Sequence, residues 1–416
     1  GTALVIANRL PYPLDDGWKR RTFHVLRGIA TGRKTIFVTL HAGEPGEVDA
    51  FRDALGPGVR VVAVPAPRWV SKLAPLLGLM TSTPYQVWRL RSGQLRRTVR
   101  ALAREENISM AVSVLTYVFP HLEEVPAKVP RIVDTHNIDS IVLARYAERF
   151  RDPFRRAYAR MTASRLAAFE RRVFREAAAV WVCSAAEMLY LEREQPAARV
   201  QTIPNGVDSE VDFAAWDGPV DPDELVFFGR LDYFPNTDAI DHFLGAIFPL
   251  IKRRRSSARL SIIGAAAPGV LEQWRGHADV VLRGRVSDVR EAVGRAAVVV
   301  VPLRAGGGTR LKILEALSLE KAVVSTTVGA EGLELRSGTH ALIADEPAAF
   351  ADAVCRLLED PALGRKLGRA GRTLVREHYD WRVIEGQLNA ALGRLDAAAG
   401  ATAEPGRRTG LKPTGS

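Results

Sequence analysis

Short runs of β-branched residues alternate with segments of helical period along almost the whole chain, and no other feature of the sequence restricts the fold as strongly. Strands are expected near 2–7, 34–40, 59–64, 110–115, 130–135, 179–183, 200–203, 224–228, 259–263, 279–282, 297–302, 321–326 and 341–343. Strand and helix in strict turn are the sign of βαβ units, and so of parallel sheets. That is too many strands for one ordinary sheet. The natural break is Pro204-Asn205-Gly206, followed by the turn-rich, acidic stretch from Asp217 to Asp223. The pattern predicts an α/β fold of two doubly wound domains, residues 1–203 and 204–380, facing each other across a cleft. Ligands of such sheets bind at the carboxyl ends of the strands, so the cleft is the expected site. From Ala397 onward the chain is rich in Ala, Gly, Pro and Thr with no apolar period, and 397–416 are expected to be a disordered tail.

Composition narrows the class. With 47% apolar and 25% charged residues the chain is ordinary globular material. Its two cysteines, Cys183 and Cys355, both sit in apolar runs, which excludes a disulfide framework and a cysteine zinc site and suits a reducing, cytoplasmic setting. The apolar runs at 73–80 and 296–302 fall short of the ~18 residues that span a bilayer, and Thr2 to Ala7 reads as a strand, not a secretory leader. The net charge of +11 lies almost wholly in the first half, and no acid occurs between Asp53 and Glu105. Within that interval Trp88, Leu95, Val99 and Leu102 recur at helical spacing among Arg89, Arg96, Arg97, Arg100 and Arg104, which predicts one amphipathic basic helix. Together with the apolar stretch from Arg68 to Met80, this predicts a basic amphipathic surface over 68–104 suited to an anionic membrane, with the protein peripheral on its inner face. No zinc finger, helix-turn-helix or aromatic-basic RNA motif is present, so nucleic acid is not the expected partner.

The most informative segment runs from Val298 to Leu317. A strand enters Gly306-Gly307-Gly308 and passes straight into a helix, an arrangement that turns bare amides and a positive helix end toward the cleft and invites phosphate. Arg310 and Lys312 lie at the start of that helix, where cations oppose its dipole unless an anion binds. Glu315 stands farther along as a candidate for ribose hydroxyls. A second candidate is Phe228-Gly229-Arg230, a strand edge ending in a guanidinium fork that suits phosphate oxygens. The loop Pro11 to Arg21, containing Gly17, lacks the Gly-x-Gly-x-x-Gly spacing, and no Gly-x-x-x-x-Gly-Lys-Ser/Thr occurs, so dehydrogenase and ATPase readings lose support. Asp134-Thr135-His136-Asn137 ends another strand; either Asn137 or Asp139 caps the next helix, or His136 reaches the cleft. Asp221-Pro222-Asp223 matches a metal-holding Asp-x-Asp, but it falls in the expected interdomain connection and no metal is assigned.

The order of these segments, with Val182-Cys183-Ser184, Ile203 to Asp208, Ile263-Gly264 and Gly329 to Leu333, resembles a group 1, GT4-type glycosyltransferase of the GT-B fold. The resemblance covers about residues 1–396. It implies two Rossmann-like domains, with 381–396 a helix returning toward the first. It also implies retaining transfer of a sugar from a nucleoside-diphosphate donor, UDP- or GDP-linked, with no metal or other cofactor. The acceptor would be a glycan, a lipid-linked molecule or a small molecule. By position, Arg230 would neutralise the diphosphate and Glu315 would bind the ribose. Gly17, Asn205, Gly206, Gly307, Gly308 and Thr309 would line the donor site, and His136 would face the transferred sugar. Two departures stand out. Gly307 occupies a position where the family often has a glutamate, and Asn236 one where it often has a lysine. Arg310 and Lys312 are the replacements expected for the missing cation. A hydrolysing nucleotide-sugar epimerase of the same fold is the first alternative, and a non-enzymatic protein whose basic first domain holds nucleic acid is the second.

Overall fold

The computed structural model describes residues 1–41, 46–150, 152–266 and 269–403. Seven parallel strands form the first sheet: β1 (Thr2–Ala7), β2 (Thr35–His41), β3 (Val59–Pro65), β4 (Ile108–Val114), β5 (Arg131–Asp134), β6 (Ala179–Val182) and β7 (Val200–Thr202), in the order β3-β2-β1-β4-β5-β6-β7. Six form the second: β8 (Asp221–Phe228), β9 (Arg259–Ile263), β10 (Val280–Gly284), β11 (Ala296–Val301), β12 (Ala322–Ser325) and β13 (Leu342–Ile343), in the order β10-β9-β8-β11-β12-β13. Every expected strand is present within a few residues. The reason is visible in β1, where Ala3, Val5 and Ala7 enter one apolar core and Leu4 and Ile6 the other. A strand covered on both faces must be apolar throughout, and that signal survives in sequence. Strand order reverses between β1 and β4 and between β8 and β11, and the carboxyl ends at both reversals open on the same cleft.

The chain crosses between the sheets twice, side by side. On the way out, Val207 donates its amide to Tyr379 O at 2.9 Å; on the way back, Trp381 donates to Val207 O at 3.3 Å. The final helix, Trp381–Ala403, then lies on the first domain. Trp381 stacks on His24 with ring centroids 4.2 Å apart, and Ile384, Leu388 and Leu392 complete the core on one face of the first sheet. This helix continues past Ala397 to Ala403, so 397–403 are not the disordered segment expected; 404–416 lie outside the described residues.

Two further expectations are corrected. Asp221-Pro222-Asp223 opens β8 instead of lying in the connection, and its carboxylates pair with arginines, Asp221 with Arg259 and Asp223 with Arg255. The basic segment is not one continuous helix. Trp88 belongs to the short helix Tyr85–Arg89, and Ser92 starts another, Gly93–Glu105, by accepting from Leu95 N at 3.1 Å. That second helix buries Leu95, Val99 and Leu102 in the core, while Arg96 and Arg100 both pair with Glu124.

Candidate functional site

A cavity of about 780 Å³ lies between the carboxyl ends of the two sheets. It is large enough for a nucleotide-sized ligand. Its first-domain wall is the Asp15–Arg20 turn and Arg9; its second-domain wall is Phe228 to Arg230, Ile263 to Ala266, Arg285 to Ser287 and the Ala305–Glu315 segment.

Local sequence explains the second wall. Gly229, with φ +142°, ends β8 in a conformation that side chains rarely adopt, and it turns Arg230 into the cavity. Among the described residues the Arg230 guanidinium is held by Asp232 alone, at 3.1 and 2.9 Å, and half of its side chain remains exposed. After β11 the chain passes through Gly306 (φ +142°) and Gly308 (φ +68°) into the Leu311–Ser318 helix. Arg310 occupies the cap position and supplies no capping oxygen; Leu311 N donates to Thr309 O at 3.1 Å and Ile313 N to Arg310 O at 2.9 Å, so of the first-turn amides that of Lys312 has no hydrogen-bond partner among the described residues. A side chain at Gly307 would overlap Val142 of the first domain, and one at Gly308 would overlap Asn137. Packing of the two domains therefore leaves no room for a glutamate at 307.

Lys312 and Glu315 project from one face of the same helix, three residues apart. Lys312 Nζ donates to Asn236 Oδ1 at 2.8 Å and lies 4.0 Å above the Phe227 ring. Asn236 in turn donates to Arg230 O at 2.7 Å. The Lys312 ammonium thus sits against the residue that stands where the family often has a lysine. Withdrawal from water, reinforced by the neighbouring Arg310 charge, brings its pKa down to about 7. Burial raises the Glu315 pKa, against the pull of Arg20 and Lys312. Arg20, from the first domain, reaches across to Glu315 Oε1 at 3.2 Å.

Not every expected residue lines the cavity. Gly17, Arg230, Gly307, Thr309, Arg310, Lys312 and Glu315 do. Gly17 sits against the Leu311 side chain, and an added Cβ would come within 2.7 Å of Leu311 Cδ1. Arg310 lines the cavity, yet its guanidinium is engaged by carbonyls, Nη1 donating to Gly307 O and Gly308 O and Nη2 to Val328 O. It secures the glycine loop instead of offering a free fork. Gly308, packed against Asn137, and Asn205 and Gly206 are not lining residues. Asn205 Oδ1 accepts from Arg21 at 3.0 Å, and Gly206 is pressed against Trp381 and Ile384 where the two crossings meet. Neither Asn137 nor Asp139 caps the Asp139–Arg149 helix; Glu170 accepts from Asp139 N and Ser140 N in their place.

His136 is buried behind the wall. Its Nε2 lies 3.5 Å from Asp134 Oδ2, its ring is 5.9 Å from that of Trp18, and Nε2 has no hydrogen-bond partner among the described residues. Burial lowers its pKa, so the ring is neutral. Asp134 itself is committed to Arg21, which donates to it at 2.5 Å and also to Ile203 O at 2.7 Å. Burial alone would push the Asp134 carboxyl up, but the Arg21 and His136 contacts outweigh it and hold the pKa at about 2. Sequence reasoning passed over Arg20 and Arg21. The available signal was a Lys19-Arg20-Arg21 run in the first turns of a helix with no acid in its first turn, the same anomaly that pointed to Arg310 and Lys312.

Comparison with known proteins agrees with this geometry. The description "Glycosyl transferases group 1" matches residues 222–360, and "Glycosyl transferase 4-like domain" matches residues 16–206. Among curated proteins, an uncharacterized 44.6 kDa protein in the cps region of Klebsiella pneumoniae is 23% identical over 168 residues, 38% of this chain and 43% of that protein. Glycogen synthase of Mycobacterium tuberculosis is 28% identical over 203 residues, 45% of this chain and 46% of that protein. The matches thus span under half the length of these relatives. Among solved structures, sucrose-phosphate synthase from Thermosynechococcus elongatus superposes with a TM-score of 0.73 at 17% identity, covering 96% of this chain and all of that one. Anabaena HepE in complex with UDP gives a TM-score of 0.63 at 15% identity over 95% of this chain and all of the other. Sequence and fold together place the chain among the group 1 glycosyltransferases of the GT-B fold.

Proposed function

We propose that this glycosyltransferase moves a sugar, with retention of anomeric configuration and without a metal, from a nucleoside-diphosphate donor to a hydroxyl acceptor in glycan, glycolipid or secondary-metabolite assembly. The observation that carries the reading is the pairing, on one helix face, of the Lys312 ammonium beside Arg230 with the Glu315 carboxylate. The two cations suit a diphosphate, and the carboxylate suits the paired hydroxyls of the adjoining ribose. Departure of the sugar leaves negative charge on the diphosphate, and fixed cations aimed at that charge are the main electrostatic help such a reaction can receive. Arg230 and Lys312, with the Lys312 amide at the start of the Leu311–Ser318 helix, fill that role, while Arg310 keeps the loop in place. His136, buried behind the first-domain wall 3.5 Å from Asp134, is the imidazole we assign to a hydroxyl of the transferred sugar or the acceptor. HepE was crystallised with UDP and with UDP-glucose, which makes a uridine donor the first to test.

A thermal-shift screen of UDP-, GDP-, dTDP- and ADP-sugars tests the donor class. Glu315→Ala should abolish the shift by weakening donor binding by ~1.5–3 kcal/mol, the scale of hydrogen bonds to a charged group. Loss of fold stability with no selective loss of donor affinity would reject the ribose role. Anomeric NMR of the product, with and without a chelator, tests retention and metal independence. Conversion of the donor sugar in the absence of any acceptor would favour an epimerase.

A further inference from the structure

The Arg68–Met80 helix leaves a row of large apolar side chains uncovered: Leu73 is 46% exposed, Leu76 54%, Leu79 47% and Met80 76%. Single exposed leucines are common on protein surfaces, but four such residues within eight positions of one helix mark an interaction face. The other side of the helix is firmly seated. Ala74 is fully buried, and Gly78 is pressed against the Tyr85–Arg89 helix so closely that an added Cβ would come within 2.8 Å of Tyr85 Cβ. Arg165, from the Pro153–Glu176 helix, donates to the Gly78 carbonyl. The leucines therefore point outward because the small residues are needed inward.

The charge carried by this stretch of chain has one sign. The sequence holds no acid between Asp53 and Glu105. Lys72, Arg89, Arg91 and Arg97 are exposed and form no ion pair among the described residues, in contrast to Arg96 and Arg100. Arg91 stacks 4.5 Å over Trp88, whose Nε1 donates to Thr81 Oγ1 at the end of the apolar helix, so cation and apolar row adjoin.

We infer that this face docks on an anionic lipid bilayer, with Leu73, Leu76, Leu79 and Met80 entering the boundary between head groups and acyl chains and Lys72, Arg89 and Arg91 meeting lipid phosphate. Thirteen residues of helix span roughly 20 Å at 1.5 Å per residue. That is too short to cross a bilayer and suits a helix lying in its surface. A second copy of the chain fits the face poorly, because pairing would bring two acid-free, cationic surfaces together. The insertion element is thus the helix ahead of the arginine-rich Gly93–Glu105 segment, whose own apolar residues are consumed by the core. The surface stands apart from the donor site and does not depend on the donor reading.

Co-sedimentation of the full chain with phosphatidylcholine vesicles, with and without phosphatidylglycerol, tests the inference. Binding should require the anionic lipid and fall with salt. Leu76→Asp combined with Leu79→Asp should lower partitioning on the order of a hundredfold, and Arg89→Gln combined with Arg91→Gln about tenfold at low salt. All four positions are exposed, so melting temperatures should match the parent protein; Met80→Ser gives a milder second variant if the aspartates disturb folding. Absence of sedimentation, equal sedimentation with neutral vesicles, or leucine variants that bind like the parent would each overturn the inference. So would a lipid-free dimer, seen by light scattering, that the leucine variants dissolve.

Discussion

On the second-domain wall of the cleft, Lys312 leans on Asn236 and the half-exposed Arg230 on Asp232. Behind the first-domain wall, Arg21 is fully buried and turned inward, onto Asp134, Asn205 and the carbonyls of Ile203 and Pro204. Both sets of contacts lie near the carboxyl ends of parallel strands, yet only the set that lines the cavity keeps charge in reserve. Breaking a weak contact such as Lys312–Asn236 loses little, so a ligand can replace it. Breaking the Arg21 network strands a buried carboxylate. The first is what a binding surface needs, and the second is what holds a domain against its connecting segment.

The largest effect should come from breaking the inward-facing set. Arg21→Met leaves Asp134 buried and uncompensated and should cost ~3–5 kcal/mol of stability, measured by urea unfolding. A variant as stable as the parent but unable to bind donor would erase the contrast between the two sets.

A sharper and smaller test exchanges the cation across its contact. Lys312→Met should weaken donor binding about tenfold to a hundredfold, as expected for ~1.5–3 kcal/mol, with no loss of stability. Adding Asn236→Lys should restore most of it, because Lys312 Nζ already sits on the Asn236 amide. The same addition should not rescue Arg310→Ala, whose guanidinium serves the loop carbonyls. Equal rescue of both would show that only net charge matters.

The smallest effect is in pH. With no donor bound, Lys312 titrates at about 7, below its ordinary value, because it is withdrawn from water beside Arg310, with Glu315 only partly offsetting. A bound diphosphate favours the charged form, so binding above pH 7 takes up a proton. Donor affinity should weaken by less than about tenfold per pH unit as pH rises from 7 to 9, and Lys312→Met should flatten the profile. Calorimetry in buffers of different ionisation enthalpy reads the proton directly. A profile that is flat in the parent protein would remove Lys312 from the diphosphate.

The strands could be read from sequence because buried parallel strands are apolar over their whole length, as in β1 and β11. Glu315 and Lys312 could be read because a glycine loop fixes which helix face meets the cleft. What could not be read depends on partners far away in the chain. Arg96 and Arg100 looked like a free basic face until Glu124, 28 and 24 residues on, was seen to take both. Arg21 looked like one more surface cation, since nothing in its neighbourhood announces Asp134, 113 residues later. Arg310 and Lys312 are two residues apart and chemically alike, and only the direction of each side chain separates the loop fastener from the candidate ligand.

The paired crossings at Val207 and Asp380–Trp381 bear on how the molecule can move. A single tether between two bodies permits bend, twist and slide alike. Two strands of chain laid together, tied by backbone hydrogen bonds and wedged at Gly206 by Trp381 and Ile384, act more like a door's pin. They suppress sliding and leave rotation about one line as the soft motion. Entry of a ligand then becomes a matter of angle, and a bulky residue at Gly206 would bend the pin itself while leaving every residue of the cavity in its own domain untouched.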